Sequence, residues 1–372
     1  MVALILILLI GLAAANGSND VSKGVATLAG AGVTRYRTAV LWGTVTTLAG
    51  SLFSLRLASK MTKLFTKGIV SAQPTRAFTL AVLVGAAAWV ALATTFRLPV
   101  STTHAIVGAL IGAGLLLAPD AVRWSSLLQR AAVPLLLSIV AAYGISLLLN
   151  LVPARAQRCT CPRPSDVGAG DRRASPPGQG GMAMAAAALR PEPAGAGAGA
   201  AAAAVVPVTC VVHAVTQSSG LSVMSAAHWL SSGAASFSRG LNDTPKIVAI
   251  GAFALIPAGM TTAQVLLVGS SSMAIGSLLG LRVARRLGEG LVRMSHAEGL
   301  KANLSTAALV GLGAARGLPM STTHVSTGAI TGSAGISLGR ISGRTLRDFA
   351  IAWTVTPLFA AAVAALVYLA AR

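Results

Sequence analysis

Three blocks of this sequence occur twice, in the same order and at nearly the same spacing. Asn19-Asp20-Val21-Ser22-Lys23 returns 223 residues later as Asn242-Asp243-Thr244-Pro245-Lys246. GSLFSLRLA from Gly50 returns as GSLLGLRVA from Gly276, and PVSTTHAIVGALIG from Pro99 as PMSTTHVSTGAITG from Pro319. A self-match of this kind is a tandem duplication. Whatever the chain folds into is therefore built from two like halves, each carrying every motif once. The halves are assigned to residues 1–152 and 205–372. Between them, 153–204 is rich in Pro, Gly, Ala and Arg and poor in the branched and aromatic residues that offset ordering entropy, so it reads as a flexible linker.

Apolar runs make up each half: Ala39–Leu55, Ala77–Phe96 and Ala131–Val152, then Ile247–Ala258, Val265–Leu281, Leu304–Ala315 and Ile351–Ala371. Hydrophobic residues are 54% of the chain and charged ones 10%, against about a quarter charged in soluble domains. Several runs are long enough to cross a bilayer core of roughly 30 Å as helices. The expected fold class is an all-α polytopic membrane protein. Ala105–Leu117 and Val325–Leu338 are too short and Gly-rich for full spans and read as broken or re-entrant helices. The opening MVALILILLIGLAAANG imitates a signal peptide but lacks a basic n-region, and is read as a retained first span.

The net charge of +20 sits in short loops between apolar runs. That distribution fits the positive-inside bias and anionic lipid rather than nucleic acid, which wants a basic face on a soluble fold. Cys159, Cys161 and Cys210 form no disulfide framework, and Cys159-Thr-Cys161 has no second ligand pair for a metal.

The polar motifs carry the chemistry. Pro99 and Pro319 discourage helix in the residue before them, and the following Ser and Thr suit the N-cap of a new helix. One hydroxyl would serve as a cap; three in a row, in both halves and at membrane depth, exceed that need. A helix N-terminus with added hydroxyl donors is an anion site without a full charge, a device of broken-helix transporters. Ser101, Thr102, Thr103, Ser321, Thr322 and Thr323 are accordingly the candidate ligands of a tetrahedral oxyanion. With no Arg adjacent in sequence, neutral donors are expected to hold it.

Asp20 and Asp243 are two of only nine acidic residues, and each is expected to end an apolar helix. With Asn19 and Asn242 they offer oxygen ligands for a small cation; equally, Lys23 and Lys246, three residues on, can neutralise them. His104 and His324 can shuttle protons, donate to an anion, or serve as satisfied side chains near the caps. His213, His228 and His296 have no repeat partner and are assigned no site role. An intramembrane hydrolase is disfavoured because Ser101 and His104 lie three residues apart without a G-x-S-x-G elbow. A channel would need a continuous polar stripe.

The four motif copies, NGSNDVSKGVATLAGAGVT, FSRGLNDTPKIVAI, LPVSTTHAIVGALIGAG and LPMSTTHVSTGAITGSAG, resemble those of the inorganic phosphate transporter (PiT) family, which includes related sulfate permeases. The resemblance covers both halves and omits mainly the linker. It implies inverted-topology repeats, secondary active transport of phosphate or sulfate across the plasma membrane, coupling to protons or sodium, and a homodimer. It places the six Ser and Thr residues on the oxyanion and Asn19, Asp20, Asn242 and Asp243 at a coupling cation, sodium included, or at the substrate's edge. Many sodium-coupled members have Asn three residues after the Asp; Lys23 and Lys246 replace it here, which favours protons.

Inversion puts the equivalent positions Lys60 and Arg286 on opposite membrane faces. With Cys159, Cys161 and Cys210 replaced, single cysteines at 60 and 286 should differ: an impermeant thiol reagent added to intact cells labels one of them. Equal labelling from outside would show parallel halves.

Overall fold

In a computed structural model, residues 1–151, 222–335 and 337–372 are described. The linker, Cys159, Cys161, Cys210, His213 and both domain boundaries assigned from sequence lie outside them. The first half comprises α1 (Val2–Asp20), α2 (Ser22–Gly30), α3 (Tyr36–Leu57), the short α4 (Ser59–Lys63), α5 (Arg76–Thr95), α6 (Thr102–Leu117), the four-residue α7 (Trp124–Leu127) and α8 (Val133–Asn150). The second comprises α9 (Val223–Leu255), α10 (Thr262–Ser277), α11 (Leu281–Gly290), α12 (His296–Arg316), α13 (Thr322–Ser333) and α14 (Gly343–Ala371).

Helix suits this composition because a backbone in hydrocarbon must satisfy its own hydrogen bonds. Five segments are long and apolar enough to cross a membrane: Val2–Gly30, Tyr36–Leu57, Arg76–Thr95, Trp124–Asn150 and Gly343–Ala371. The pair α10 and α11, bent by 61° at their junction, makes a sixth if counted as one span. Leu136, Val140, Ile275, Leu279, Leu358 and Leu366 point outward, while Ser, Thr and several charged residues are buried. Apolar outside and polar inside is the arrangement of a multi-pass membrane protein.

The halves exchange partners. Helix α1 packs on α10 and α9 on α3; α6 packs on α14 and α13 on α8. Each contact is a close backbone approach at glycine. A Cβ on Gly17 would meet the Met273 carbonyl, and one on Gly276 the Ala14 carbonyl. On the short helices, Gly108 and Gly112 abut Pro357 and Ala361, while Gly328 and Gly332 abut Ile139 and Tyr143. These are small-xxx-small contacts, which let helices approach where lipid offers no hydrophobic drive to associate.

The short helices after each Pro-x-Ser-Thr-Thr-His turn match expectation, but the Asn-Asp motif does not end a span. Val21, the one residue between α1 and α2, is itself right-handed helical (φ −55°, ψ −30°), and α9 runs unbroken through Pro245. Asp20 therefore closes α1 within a span that carries on to Gly30, whereas the second Asn-Asp pair sits partway along α9. A proline lacks only its own N–H, so the surrounding packing of α9 tolerates one lost rung.

The helices before the turns end in one motif. Arg97 N–H donates to Thr94 O and Leu98 N–H to Ala93 O; Gly317 N–H donates to Ala314 O and Leu318 N–H to Gly313 O. This Schellman cap needs a left-handed residue, and Gly317 (φ 76°) is the usual choice. Arg97 (φ 60°) holds the same conformation with a Cβ, which costs on the order of 1 kcal/mol. Its side chain is exposed. Arg97→Gly should stabilise the detergent-purified protein by about 1 kcal/mol, read as a raised thermal midpoint. A lowered midpoint would mean that the arginine makes a contact worth more than the strain.

Candidate functional site

Each turn is capped by its serine: Ser101 Oγ accepts from His104 N–H at 3.3 Å, and Ser321 Oγ from His324 N–H at 3.2 Å. Thr102, Thr103, Thr322 and Thr323 then occupy the first turn of α6 and α13, where backbone N–H groups have no intrahelical acceptor. All six side chains are buried, and two of the six anion-site candidates, Ser101 and Ser321, are also the caps.

The two asparagines hold these turns in place. Asn19 Oδ1 accepts from Val100 N–H (3.0 Å) while its amide donates to Leu98 O (2.8 Å) and Thr94 Oγ1 (2.9 Å). Asn242 Oδ1 accepts from Met320 N–H (3.2 Å) and its amide donates to Met320 O (2.8 Å) and Asp243 Oδ1 (2.9 Å). Each asparagine thus pins the extended backbone of its own half.

The threonines reach across to the other half. Thr322 Oγ1 donates to Asp20 Oδ2 (3.1 Å), Thr323 Oγ1 to Val100 O (2.6 Å), and Thr103 Oγ1 lies 3.4 Å from Met320 O. Thr102 Oγ1 accepts from Asn16 Nδ2 at 2.8 Å. All four motif copies meet in one place.

Of the two roles open to the aspartates, the geometry takes the ion pair. Lys23 Nζ lies 2.6 Å from Asp20 Oδ1, 2.7 Å from Asn19 Oδ1 and 3.1 Å from Asn19 O. Lys246 Nζ lies 3.0 Å from Asp243 Oδ1 and 2.6 Å from Thr103 Oγ1. Each ammonium thus takes up an oxygen of its own Asn-Asp motif.

Sequence reasoning missed Arg239. Buried at 1% exposure, it donates from Nη2 to Thr47 Oγ1 (2.7 Å) and Ser277 Oγ (3.2 Å), while Nε and Nη1 have no protein partner. Its charge acts on both Asp20 and Asp243. With Lys23 and Lys246 it makes three buried basic residues beside two buried aspartates, a group that the expectation of mainly neutral donors did not include. The signal was present, since Arg239 lies three residues before Asn242 where the repeat has Asn16. His104 and His324 meet across the halves with ring centroids 4.8 Å apart, and Trp353 lies 4.3 Å from His324.

A buried ion pair that loses one member leaves an uncompensated charge, at a cost of about 3–5 kcal/mol. Lys23→Met should lower the thermal midpoint in detergent sharply, and adding Asp20→Asn should restore most of it. Equal midpoints for the single and double variants would show that the two charges are not coupled.

The profile of the phosphate transporter family matches residues 16–364. A Pyrococcus abyssi protein bearing a phosphate permease name is 27% identical, with 98% of this chain and 97% of that protein covered. A Mycobacterium tuberculosis protein named "Probable low-affinity inorganic phosphate transporter" is 28% identical over 95% of this chain and 73% of its own length. Among solved structures, "The sodium-dependent phosphate transporter" shares the fold, with a TM-score of 0.76, 24% identity, and 99% and 98% of the two chains covered. The match spans both halves and all four motif copies, and on that ground the chain belongs to the phosphate transporter family, a family of multi-pass membrane transporters and not of enzymes.

Proposed function

We propose that this chain carries inorganic phosphate across the plasma membrane by secondary active transport, coupled to the proton in preference to sodium. The observation that carries the reading is the crossing of the motif copies over two buried Asp–Lys pairs, with Arg239 adding a third basic residue. A buried excess of one basic residue suits an anion. Ser101, Thr102 and Ser321 accept within the protein and keep their hydrogens for the anion. Thr103, Thr322 and Thr323 join them by turning theirs from Met320 O, Asp20 and Val100 O, all six at two helix N-termini.

Phosphate is favoured over sulfate by the acceptors that share the site. Asp243 Oδ2 and Asn16 Oδ1 are buried without a protein partner. A protonated phosphate oxygen can donate to them, whereas sulfate at neutral pH has only acceptors. The relatives' names point the same way.

The proton is favoured because Lys23 and Lys246 stand where a cation would be held, although the similar solved structure is named sodium-dependent. Loading Asp20 or Asp243 with a proton then releases its lysine toward the anion. We read the halves as inverted repeats moving against each other along the crossed contacts, in a protein that works as a homodimer.

The test is uptake of labelled phosphate and labelled sulfate into proteoliposomes, with sodium and proton gradients imposed in turn at clamped voltage. Phosphate should enter faster than sulfate, and an inward proton gradient should stimulate it where sodium does not. Thr102→Val with Thr322→Val removes two donors, each worth about 1.5–3 kcal/mol to a charged partner, and should lower uptake at least tenfold. Unchanged uptake in that double variant would overturn the site, and several-fold stimulation by sodium over potassium would overturn the choice of ion.

A further inference from the structure

The duplication provides an internal control, because each position has a counterpart facing the same packing problem. Buried along one face of α9 are His228, Ser232, Ser236, Arg239, Asp243 and Lys246, at helical spacing. Their counterparts, 223 residues earlier, are Ile5, Leu9, Ala13, Asn16, Asp20 and Lys23. Toward the motif both stripes are polar. Away from it α1 is apolar, with Ile5, Leu9 and Ala13 in the main hydrophobic cluster, whereas α9 stays polar.

The neighbouring helices repeat the contrast. Thr27 of α2 corresponds to Ile250, and Asn303 of α12 to Leu83, a register fixed by the N-caps Thr75 and Ser295. Ile5, Ile250 and Leu83 are fully buried in that same cluster. Packing at this level is thus satisfied by aliphatic side chains in one of the two equivalent clusters, each built from both halves. The other cluster holds a histidine, a threonine and an amide, whose burial carries a desolvation cost that the fold does not require.

These groups are arranged in series. Thr27 Oγ1 donates to Asn303 Oδ1 at 2.7 Å, so toward His228 Nε2, 3.5 Å away, the same oxygen can only accept. Neutral His228 therefore carries its hydrogen on Nε2, and its Nδ1, buried without a partner, is the bare nitrogen. The half-buried His296 at the start of α12 lies beyond, with ring centroids 6.0 Å apart. Of the elements around His228, α12 brings His296 as the ionisable group acting on it. Helix α2 brings Lys23, one turn from Thr27 and held by Asp20, and α3 brings Trp42, bonded to Trp229 O.

We propose that His296, His228, Thr27 and Asn303 form a proton path from one membrane face to the Asp20–Lys23 pair. A proton taken from solvent at His296 passes to His228 Nδ1. The Thr27 hydroxyl turns from Asn303 Oδ1 and releases its hydrogen through water to the Asp20 carboxylate, which becomes the neutral acid, as Oγ1 takes up the Nε2 hydrogen. One proton enters, and His228 is left neutral with its hydrogen on Nδ1, which a flip of the ring exchanges for a bare nitrogen toward His296 before the next transfer. The polar stripe that a channel would need is present on one side only; on the other, Ile5, Leu9, Ile250 and Leu83 close it.

The proposal rests on the proton-coupled reading, and the experiment separates the two. Thr27→Ile, His228→Ile and Asn303→Leu together install the aliphatic residues found at the equivalent positions, Ile250, Ile5 and Leu83, and touch none of the substrate ligands. Reconstituted parent and variant are compared in phosphate uptake driven by an inward proton gradient and in phosphate–phosphate exchange at equal pH. The variant should lose gradient-driven uptake at least tenfold and keep its exchange. Should exchange fall too, His228→Gln, polar but unable to titrate, decides: loss of the gradient response alone supports the path, and any other pattern overturns it. Equal gradient responses in parent and triple variant overturn the path alone. A parent indifferent to the proton gradient overturns the path together with proton coupling.

Discussion

A charge buried in a protein that is itself buried in lipid has no water to fall back on, and its partner must be built in. Asp20 and Asp243 meet that condition with a lysine one helical turn away, at 2.6 and 3.0 Å. The remaining oxygen of Asp20, Oδ2, is then claimed from the opposite half by Thr322 and, within its own, by Asn16. The halves meet at this pair, since Thr322 of the second supplies a donor to the carboxylate of the first, whereas Asn242 and Lys246 serve Asp243 from its own half. Glycines along α1, α3, α6, α9, α10 and α13 let the backbones come close enough for those short side chains to reach.

Much of this was legible in the sequence. The repeats gave the duplication, the apolar runs gave the spans, and the prolines gave the two short helices with serine caps. The Asn-Asp motif misled because a polar pair after an apolar run reads as a helix end, whereas in α9 the polar face turns inward and the helix continues past Pro245. Arg239 went unread for the same reason: a lone charge in a Ser- and Gly-rich stretch looks like a loop until the helix is seen to bury it. The reach of Thr322 to Asp20 spans 302 residues, a separation that no local pattern encodes.

Duplication also explains which differences matter. Where the halves agree, in the Asn-Asp-x-x-Lys and Ser-Thr-Thr-His blocks, the Asp–Lys pairs, the serine caps and the asparagine ties to Val100 and Met320 recur. Where they differ, as at Asn16 against Arg239 or Ile5 against His228, the fold has accepted either residue, so the choice reflects something other than packing. Two copies of one scaffold have become unequal in charge while remaining alike in shape.

The division of labour between amide and hydroxyl has a mechanical corollary. Asn19 and Asn242 tie each turn to a helix of its own half, while Thr103, Thr322 and Thr323 grip the other. A displacement of one half against the other would therefore unfasten the threonines and leave the asparagine ties whole. Each helix start would travel as a rigid tooth, already shaped. The parting line between the halves is also where these polar groups lie, so such a displacement would expose hydroxyls and carboxylate together.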